Sequence, residues 1–194
     1  MPRSRSPRAH GKVLEAALKL FSEQGIDATS MDAIAATSGV SKATIYKHWR
    51  DEDALCLEVL AYLHGLDAPP ILKTGDHRAD LIAVLNQPLH AQRSDLQNRL
   101  MPHLMGYAAH NLAFAKAWRD RVLQPWRIQI LQLLKRSIAE GSLPPDLDLE
   151  VALAMLLGSM MYRHASSLYR RHLPENLAEL VVDAFWRAHS LPQK

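Results

Sequence analysis

A short run of hydrogen-bonding side chains, residues 42–50 (KATIYKHWR), carries chemistry suited to nucleic acid. Lys42 can donate to the O6 and N7 acceptors of guanine, Ala43 can pack against a thymine methyl group, and Thr44 can make either contact. Lys47 adds a cation that suits phosphate oxygens, and Thr29, upstream, is a further candidate for a phosphate contact. These residue types predict a DNA-reading surface.

Two short helices around a glycine corner are needed to position this run. Thr29 is placed to cap the first helix, and Asp32, three residues later, can reach back to complete a capping box. Gly39 stands in the corner at 38–40, where a tight interhelical turn needs the left-handed backbone that glycine adopts without strain. The first helix is therefore expected to end at this glycine.

The second helix begins after Ser41, which is predicted to be its N-cap. Ile45 and Trp49 are four residues apart, so they point inward together and leave the polar side chains on the other faces. A short, polar, basic helix after a glycine corner has the shape of a recognition helix that enters a major groove. The pattern predicts a helix-turn-helix over residues 30–49.

The segment resembles the DNA-binding domain of the tetracycline-repressor (TetR) family of bacterial transcriptional regulators. The resemblance covers about residues 7–67 and lies in LEAALKLFSEQG, TSMDAIAATSGVS, KATIYKHW and DEDAL, all in register. It implies that Tyr46 and His48 grip phosphate oxygens. Where the family often has a phosphate-binding lysine at the start of the fourth helix, this chain has Glu52, and we expect Arg50 to make that contact instead.

Charge is concentrated at the amino-terminal end of the 194-residue chain. Residues 1–50 contain eight Lys and Arg against four Asp and Glu, a formal +4, whereas the remainder sums to −1. A module that contacts phosphates needs this excess. Arg5 and Arg8 are candidates for a minor-groove arm, and a solvated tail is the alternative.

Enzymatic and metal-binding readings find little support in the sequence. The ten histidines show no HExxH spacing, the single cysteine Cys56 excludes an internal disulfide, and no GxSxG or phosphate-loop glycine pattern occurs. We expect no cofactor and no metal, and we expect Cys56 to be a small buried residue. The apolar stretch 151–162 is shorter than the ~18–20 residues that span a bilayer, which favours a cytoplasmic protein.

Apolar residues recur at helical spacing along the chain without period-two alternation, which predicts an all-α protein of about nine helices. The predicted domains are a three-helix helix-turn-helix domain over 7–67 and a C-terminal helical domain over 75–192. Pro69, Pro70 and the segment 73–75 mark the linker between them. The resemblance implies that the second domain binds a small ligand and dimerises.

Candidate ligand contacts come from the middle helices and combine apolar bulk with a few polar anchors, as bundle pockets do. They are His103, Tyr107, His110, Trp126, Met155, Ser159 and Tyr162. The alternative for each of them is a position in the ordinary core.

The last two helices, about 149–167 and 174–189, carry more apolar surface than one core needs. In the final helix, the stripe through Leu177 and Phe185 is expected to face the chain's own core, and a second stripe is expected to face a partner. The resemblance implies a homodimer built as a four-helix bundle from these two helices of each subunit. The predicted contacts are Leu156, Met160, Ala178, Val182 and Trp186; the alternative is a monomer with both helices in one core.

Taken together, the patterns predict a homodimeric repressor that binds a palindromic operator in double-stranded DNA and is released by a small-molecule effector. Two alternatives stay open. One is a helix-turn-helix regulator without a small-molecule effector, which answers to a protein partner or acts constitutively. The other is an enzyme with a histidine-lined pocket.

Overall fold

The computed structural model describes residues 7–64, 75–86, 94–166 and 173–191, and within them every regular element is helical. Because α7, a π-helical turn and α8 follow one another without a break, these elements form nine helical rods, as the sequence predicted. The elements are α1 Pro7–Gln24, α2 Met31–Ser38, α3 Lys42–Tyr46, α4 Glu52–Leu63, α5 His77–Leu85, α6 Ser94–His110, α7 Leu112–Trp118, the π-helical turn Arg119–Leu123, α8 Gln124–Ala139, α9 Leu149–Ser166 and α10 Leu177–His189.

The helices form two compact units. In the first unit, α1–α4 pack with α6 and α7; in the second, α5 packs with α8, α9 and α10. The domain boundaries 7–67 and 75–192 stay a prediction. Residues 67 and 192, Arg5, and the predicted linker at Pro69, Pro70 and 73–74 lie outside the described residues.

The core of the first unit lies beneath the helix-turn-helix. Val13, Ala17 and Phe21, at helical spacing on α1, are 1%, 0% and 0% exposed. Ile45 and Trp49 are also buried, as their four-residue spacing predicted. Burying a large apolar side chain contributes about 1.5–3 kcal/mol, so this cluster fixes the short α3 far more firmly than five residues of helix could by themselves.

The core of the second unit corrects the predicted dimer contacts. Leu156, Met160, Ala178 and Val182 are at most 5% exposed and pack inside the chain's own core, with Trp186 against its edge. The reason is their spacing along the helix. Ala178, Val182 and Phe185 are four and three residues apart, so they lie on the same face of α10, and that face is buried. The predicted partner stripe is therefore an inward one.

The outward face of α9 is apolar. Val151, Met155 and Tyr162 are 54%, 43% and 50% exposed, and their spacing places them on one side of the helix. On α10, Leu180 is 46% exposed. Met155, Tyr162 and the backbone of Gly158 line a groove of ≈ 490 Å³ with Leu177 and Val181 of α10.

Cys56 and the apolar helices bear on two further expectations from the sequence. Cys56 is fully buried and unpaired, as predicted, and burial raises the pKa of its thiol far above the ordinary value. Among the described residues, none of the helices has both the length and the apolar character needed to cross a bilayer.

Candidate nucleic-acid interface

The amino end of α2 is capped differently from the prediction. Ser30 is the N-cap, and its side chain accepts a hydrogen bond from the Ala33 amide at 3.2 Å. Thr29 instead is 4% exposed and its hydroxyl donates to the Gly25 carbonyl at 2.7 Å. The prediction that Thr29 caps α2 is wrong, because its side chain is held in the preceding turn. The predicted contact between Thr29 and a phosphate stays a prediction, and the side chain that would make it is buried.

Glu52 supplies a second hydrogen-bond acceptor at the same helix end. Its Oε1 accepts from the amide of Met31, the first residue of α2, at 3.0 Å. A carboxylate at a helix N-terminus satisfies an otherwise unpaired N–H and interacts favourably with the helix dipole. This contact gives Glu52 a structural role in tying α4 to α2.

The corner between α2 and α3 follows the sequence prediction. Gly39 has φ +67°, and its N–H donates to the Ala35 carbonyl at 3.0 Å, a left-handed helix end. Ser41 caps α3 by accepting from the Thr44 amide at 3.3 Å. The helix ends at Tyr46, earlier than expected.

Most of the predicted DNA-contacting side chains lie on the exposed side of this segment. Thr44 is half-buried and its hydroxyl is hydrogen-bonded to that of Ser41 at 2.8 Å. Arg50 is 84% exposed in its side chain and pairs with Asp51 at 2.8 Å. The exposed members of the set are Lys42, Ala43, Tyr46, Lys47, His48 and Arg50.

Lys42 is not free on this surface. Its ammonium lies 2.7 Å and 2.8 Å from the two carboxylate oxygens of Asp32 on α2, and 5.9 Å from the centre of the Tyr46 ring. The hydrogen bond to Asp32 raises the pKa of Lys42, so the side chain is cationic at every physiological pH. Asp32 was expected to complete a capping box and instead forms this ion pair.

Glu58 of α4 fixes the end of the recognition segment, a role that sequence analysis missed. One carboxylate oxygen accepts from the indole N–H of Trp49 at 2.6 Å, and the other lies 2.8 Å from Nε2 of His10 on α1. The His10 ring stacks on Trp49, with ring centroids 4.9 Å apart. A buried tryptophan needs an acceptor for its N–H, and an acid on the next helix is the signal that points to Glu58.

Comparisons with known proteins agree with this geometry. The model for bacterial regulatory proteins of the tetR family matches residues 13–59, and the tetracyclin repressor-like C-terminal domain matches residues 71–185. The chain belongs to the TetR family. It is a DNA-binding transcriptional regulator.

Individual TetR-family relatives span most of the chain. An uncharacterized HTH-type transcriptional regulator of Bacillus subtilis, YdeS, is 32% identical over 83% of this chain and 80% of its own length. The DNA-binding transcriptional repressor TetR of Mycobacteroides abscessus is 31% identical over 74% and 77%. The TetR-family regulator SCO0332 has a crystal structure with TM-score 0.64 and 27% identity, covering 92% of this chain and 97% of that one. The flavonoid-responsive regulator FrrA, at 24% identity and TM-score 0.64 over 95% and 98%, shares the fold.

The predicted effector contacts of this TetR-family chain are divided between the two units. His103, Tyr107 and His110 are on α6 in the first unit, and Trp126 in the second donates its indole N–H to the Val84 carbonyl at 3.0 Å. The remaining three, Met155, Ser159 and Tyr162, line the groove of α9 and α10. Their binding of an effector stays a prediction. In the described part of the chain, no cluster of three or more His, Cys, Asp or Glu side chains is placed to hold a metal ion.

Tyr107 is engaged in a polar contact with α4, the helix that follows the helix-turn-helix. Its hydroxyl donates to Asp53 of α4 at 2.6 Å, and Asn111 donates to the Tyr107 oxygen at 2.9 Å and to the other oxygen of Asp53 at 3.3 Å. Burial, and then the anionic acceptor Asp53, raise the pKa of Tyr107 to about 12. The side chain therefore holds α6 against α4 inside the first unit.

Proposed function

We propose that the protein is a homodimeric repressor that leaves a palindromic operator when a small-molecule effector binds its C-terminal region. The observation that carries the DNA-binding half is the cationic outer face of α3 and the turn after it, at 42–50. Lys42 and Thr44 at its amino end would read base edges, and the polar side chains beyond them would fix the register on phosphates. The relative from Mycobacteroides abscessus is a repressor, which supports repression here.

The proposed dimer forms through the exposed apolar face of α9 and α10. Val151, Met155 and Tyr162 would meet their copies in a partner subunit, because a symmetric dimer buries the same patch twice. Apart from its chain neighbours and the backbone of its own helix, no atom lies within 4 Å of where a Gly158 Cβ would stand, so a partner helix could approach closely there. This assignment takes Met155, Ser159 and Tyr162 out of the effector set.

The proposed small-molecule effector is supported by similarity to other regulators. A regulator that shares the fold, FrrA, responds to flavonoids, so flavonoids are one class for a first ligand panel. Release requires a ligand that prefers the DNA-incompetent state, and its differential affinity limits the switch. A coupling of ~1–3 kcal/mol would reduce operator affinity about 5–150-fold. We place this switch in the cytoplasm, on the bacterial nucleoid.

Binding-site selection on the full chain, followed by mass measurement of the selected complex, tests the DNA-binding and dimer proposals. We expect a palindrome whose half-sites are separated by about one helical turn, ~34–36 Å, or a multiple of it, and two protomers on each operator. Met155→Asp should abolish the dimer and weaken operator binding, whereas Glu150→Gln, at the start of α9 where Glu150 pairs with Arg127, should do neither. An asymmetric site bound by one protomer would contradict the proposal.

A ligand panel screened for thermal stabilisation and then for operator release tests the effector proposal. The expected hit raises the melting temperature and lowers operator affinity to the same degree that operator lowers affinity for the ligand, since coupling is reciprocal. A hit that stabilises the protein but leaves operator affinity unchanged would contradict effector release and favour a regulator without a small-molecule switch.

A further inference from the structure

The ion pair between Asp32 and Lys42 joins the two helices of the helix-turn-helix on their outer side. Both Asp32 oxygens are within 2.8 Å of the lysine ammonium, and the two side chains are 70% and 49% exposed. Lys42 is the first residue of α3, where recognition helices reach deepest into the groove. Asp32 therefore forms an ion pair with Lys42, the residue that we propose contacts the bases.

Nothing in the capping of α2 requires this acid. Ser30 satisfies the Ala33 amide and Glu52 satisfies the Met31 amide. Asp32 adds only the general benefit of a negative charge in the first helical turn. A negative charge on a DNA-facing surface lowers affinity for phosphates, so its position beside Lys42 calls for an explanation in binding.

We propose that Asp32 is a specificity-determining residue: it holds Lys42 back from phosphates and orients it toward the paired O6 and N7 acceptors of guanine. This inference rests on the proposed base-reading role of Lys42. Asp32 need not touch DNA; it acts through the lysine, as a competing anion within the protein.

Lys42 exchanges its hydrogen-bond partners differently on non-cognate and on cognate DNA. On non-cognate DNA, Lys42 would trade one anionic partner for another, a phosphate, so the trade gains little beyond counterion release. On a guanine at the right position, the ammonium, which has three N–H donors, can keep one hydrogen bond to Asp32 while it donates to O6 and N7, so the ion pair is not lost there. An exposed ion pair is weak, so breaking the Asp32–Lys42 pair to reach a phosphate costs little, about two- to fivefold in affinity. This cost falls on every non-cognate site, and a genome offers a very large number of those.

The experiment compares wild type, Asp32→Asn, Lys42→Ala and the double variant in the full-length protein. Each is titrated with the selected operator and with a scrambled duplex over a range of KCl concentrations. We expect Asp32→Asn to bind scrambled DNA ~2–5-fold more tightly, with a steeper salt dependence by about one counterion. Operator affinity should change less, so the ratio of the two affinities should fall.

The double variant separates the proposed route from a general charge effect. If Asp32 acts through Lys42, adding Asp32→Asn to Lys42→Ala should leave scrambled-DNA affinity unchanged. If the gain persists in full without the lysine, Asp32 merely repels phosphates and the proposal is overturned. Asp32→Glu, which keeps the charge, should restore the wild-type ratio.

A matched control removes the same charge elsewhere. Lys116 and Asp120 on the helical rod containing α7 form another exposed lysine–aspartate pair at 2.7 Å, and Asp120→Asn should leave the affinity ratio unchanged. Failure of wild type to select any operator would contradict the proposed function. Operator binding with an unchanged ratio in Asp32→Asn, in protein with wild-type thermal unfolding, would contradict only the inference drawn here.

Discussion

The helix-turn-helix and the last two helices are stabilised by different kinds of contact. In the helix-turn-helix and in α4 after it, a side chain caps each helix start: Ser30 for α2, Ser41 for α3 and Asp51 for α4. Glu52 and Glu58 add further hydrogen bonds between elements. By contrast, α10 has no side-chain cap at its N-cap residue, Asn176. Asp148 does cap α9 and Arg78 of α5 pairs with Asp183 of α10, but the packing of α10 on α5 and α9 is otherwise largely apolar.

The difference shows how each region suits its role. Directional hydrogen bonds position individual short helices, so the outer face of α3 can be given over to cations without loss of order. Apolar packing is not directional, and α9 has an apolar side left over after its core side is buried. A polar partner such as DNA suits the first surface, and a second copy of the same apolar face suits the other.

The largest effect is expected from the apolar region. Phe185→Ala should lower the free energy of unfolding by about 3–5 kcal/mol, because the ring is 1% exposed in the second core and its removal leaves a cavity. Urea unfolding at several protein concentrations measures this change. The matched variant on the same helix, Leu180→Ala, removes a side chain that is 46% exposed and should cost well under that amount.

The concentration dependence makes this prediction sharper. If Leu180 lies in a dimer interface, the small loss from Leu180→Ala should shrink as the protein becomes more dilute and the dimer dissociates, whereas the loss from Phe185→Ala should not. Equal losses from the two variants would show that the assigned inward and outward faces of α10 are wrong.

Replacing Glu58 is expected to have a smaller effect on stability but also to lower the affinity for DNA. Glu58→Ala leaves the buried indole N–H of Trp49 without an acceptor, a cost of about 1–3 kcal/mol. Because the end of the recognition segment loses its anchor, affinity should fall alike for operator and scrambled DNA. Glu58→Gln keeps an acceptor for the indole and should recover most of the unfolding free energy and most of the DNA affinity. A loss confined to the operator would instead assign Glu58 to base recognition.

Signals that are local in sequence predicted much of the helix-turn-helix. Gly39, Ser41 and the inward pair Ile45 and Trp49 each follow from a few neighbouring residues, and the structure confirms them. Thr29 failed as a cap because Ser30, next to it, is an equally good capping residue, and only the tertiary fold decides between them.

Contacts between distant residues, and the phase of an apolar helix, could not be predicted in the same way. Tyr107 and Asp53 are 54 positions apart, and no spacing rule relates them. In α10, apolar residues occupy so much of the circumference that the sequence admits two inward faces. Phe185 is buried as predicted, but Ala178 and Val182 share its buried stripe, and assigning them to the partner surface was wrong. The all-α fold class was predicted correctly because it depends only on the helical periodicity of apolar residues, and not on which face of a helix is buried.

A third effect, on the polar side of the comparison, comes from the α3 cap. Ser41→Ala removes the acceptor for the Thr44 amide and should cost about 1 kcal/mol. Ser41→Thr keeps a hydroxyl and should be nearly neutral. Urea unfolding measures both variants. A neutral Ser41→Ala would mean that the buried Ile45 and Trp49 hold α3 without help from its cap, which would weaken the contrast drawn between the two regions.

The mildest effect appears only in alkaline solution, through Tyr107. Its folded pKa, about 12, lies above the ~10 of an unfolded tyrosine, so the folded state retains a proton that the unfolded state loses. The stability from this difference is fully present below pH ~10 and is lost as the pH rises through about 12. The difference in unfolding free energy between wild type and Tyr107→Phe should therefore be flat up to pH ~10 and then shrink. Asp53→Asn, which removes the anionic acceptor, should move this decline to lower pH. A flat difference throughout would mean that Asp53 and burial do not hold the phenol in its neutral form.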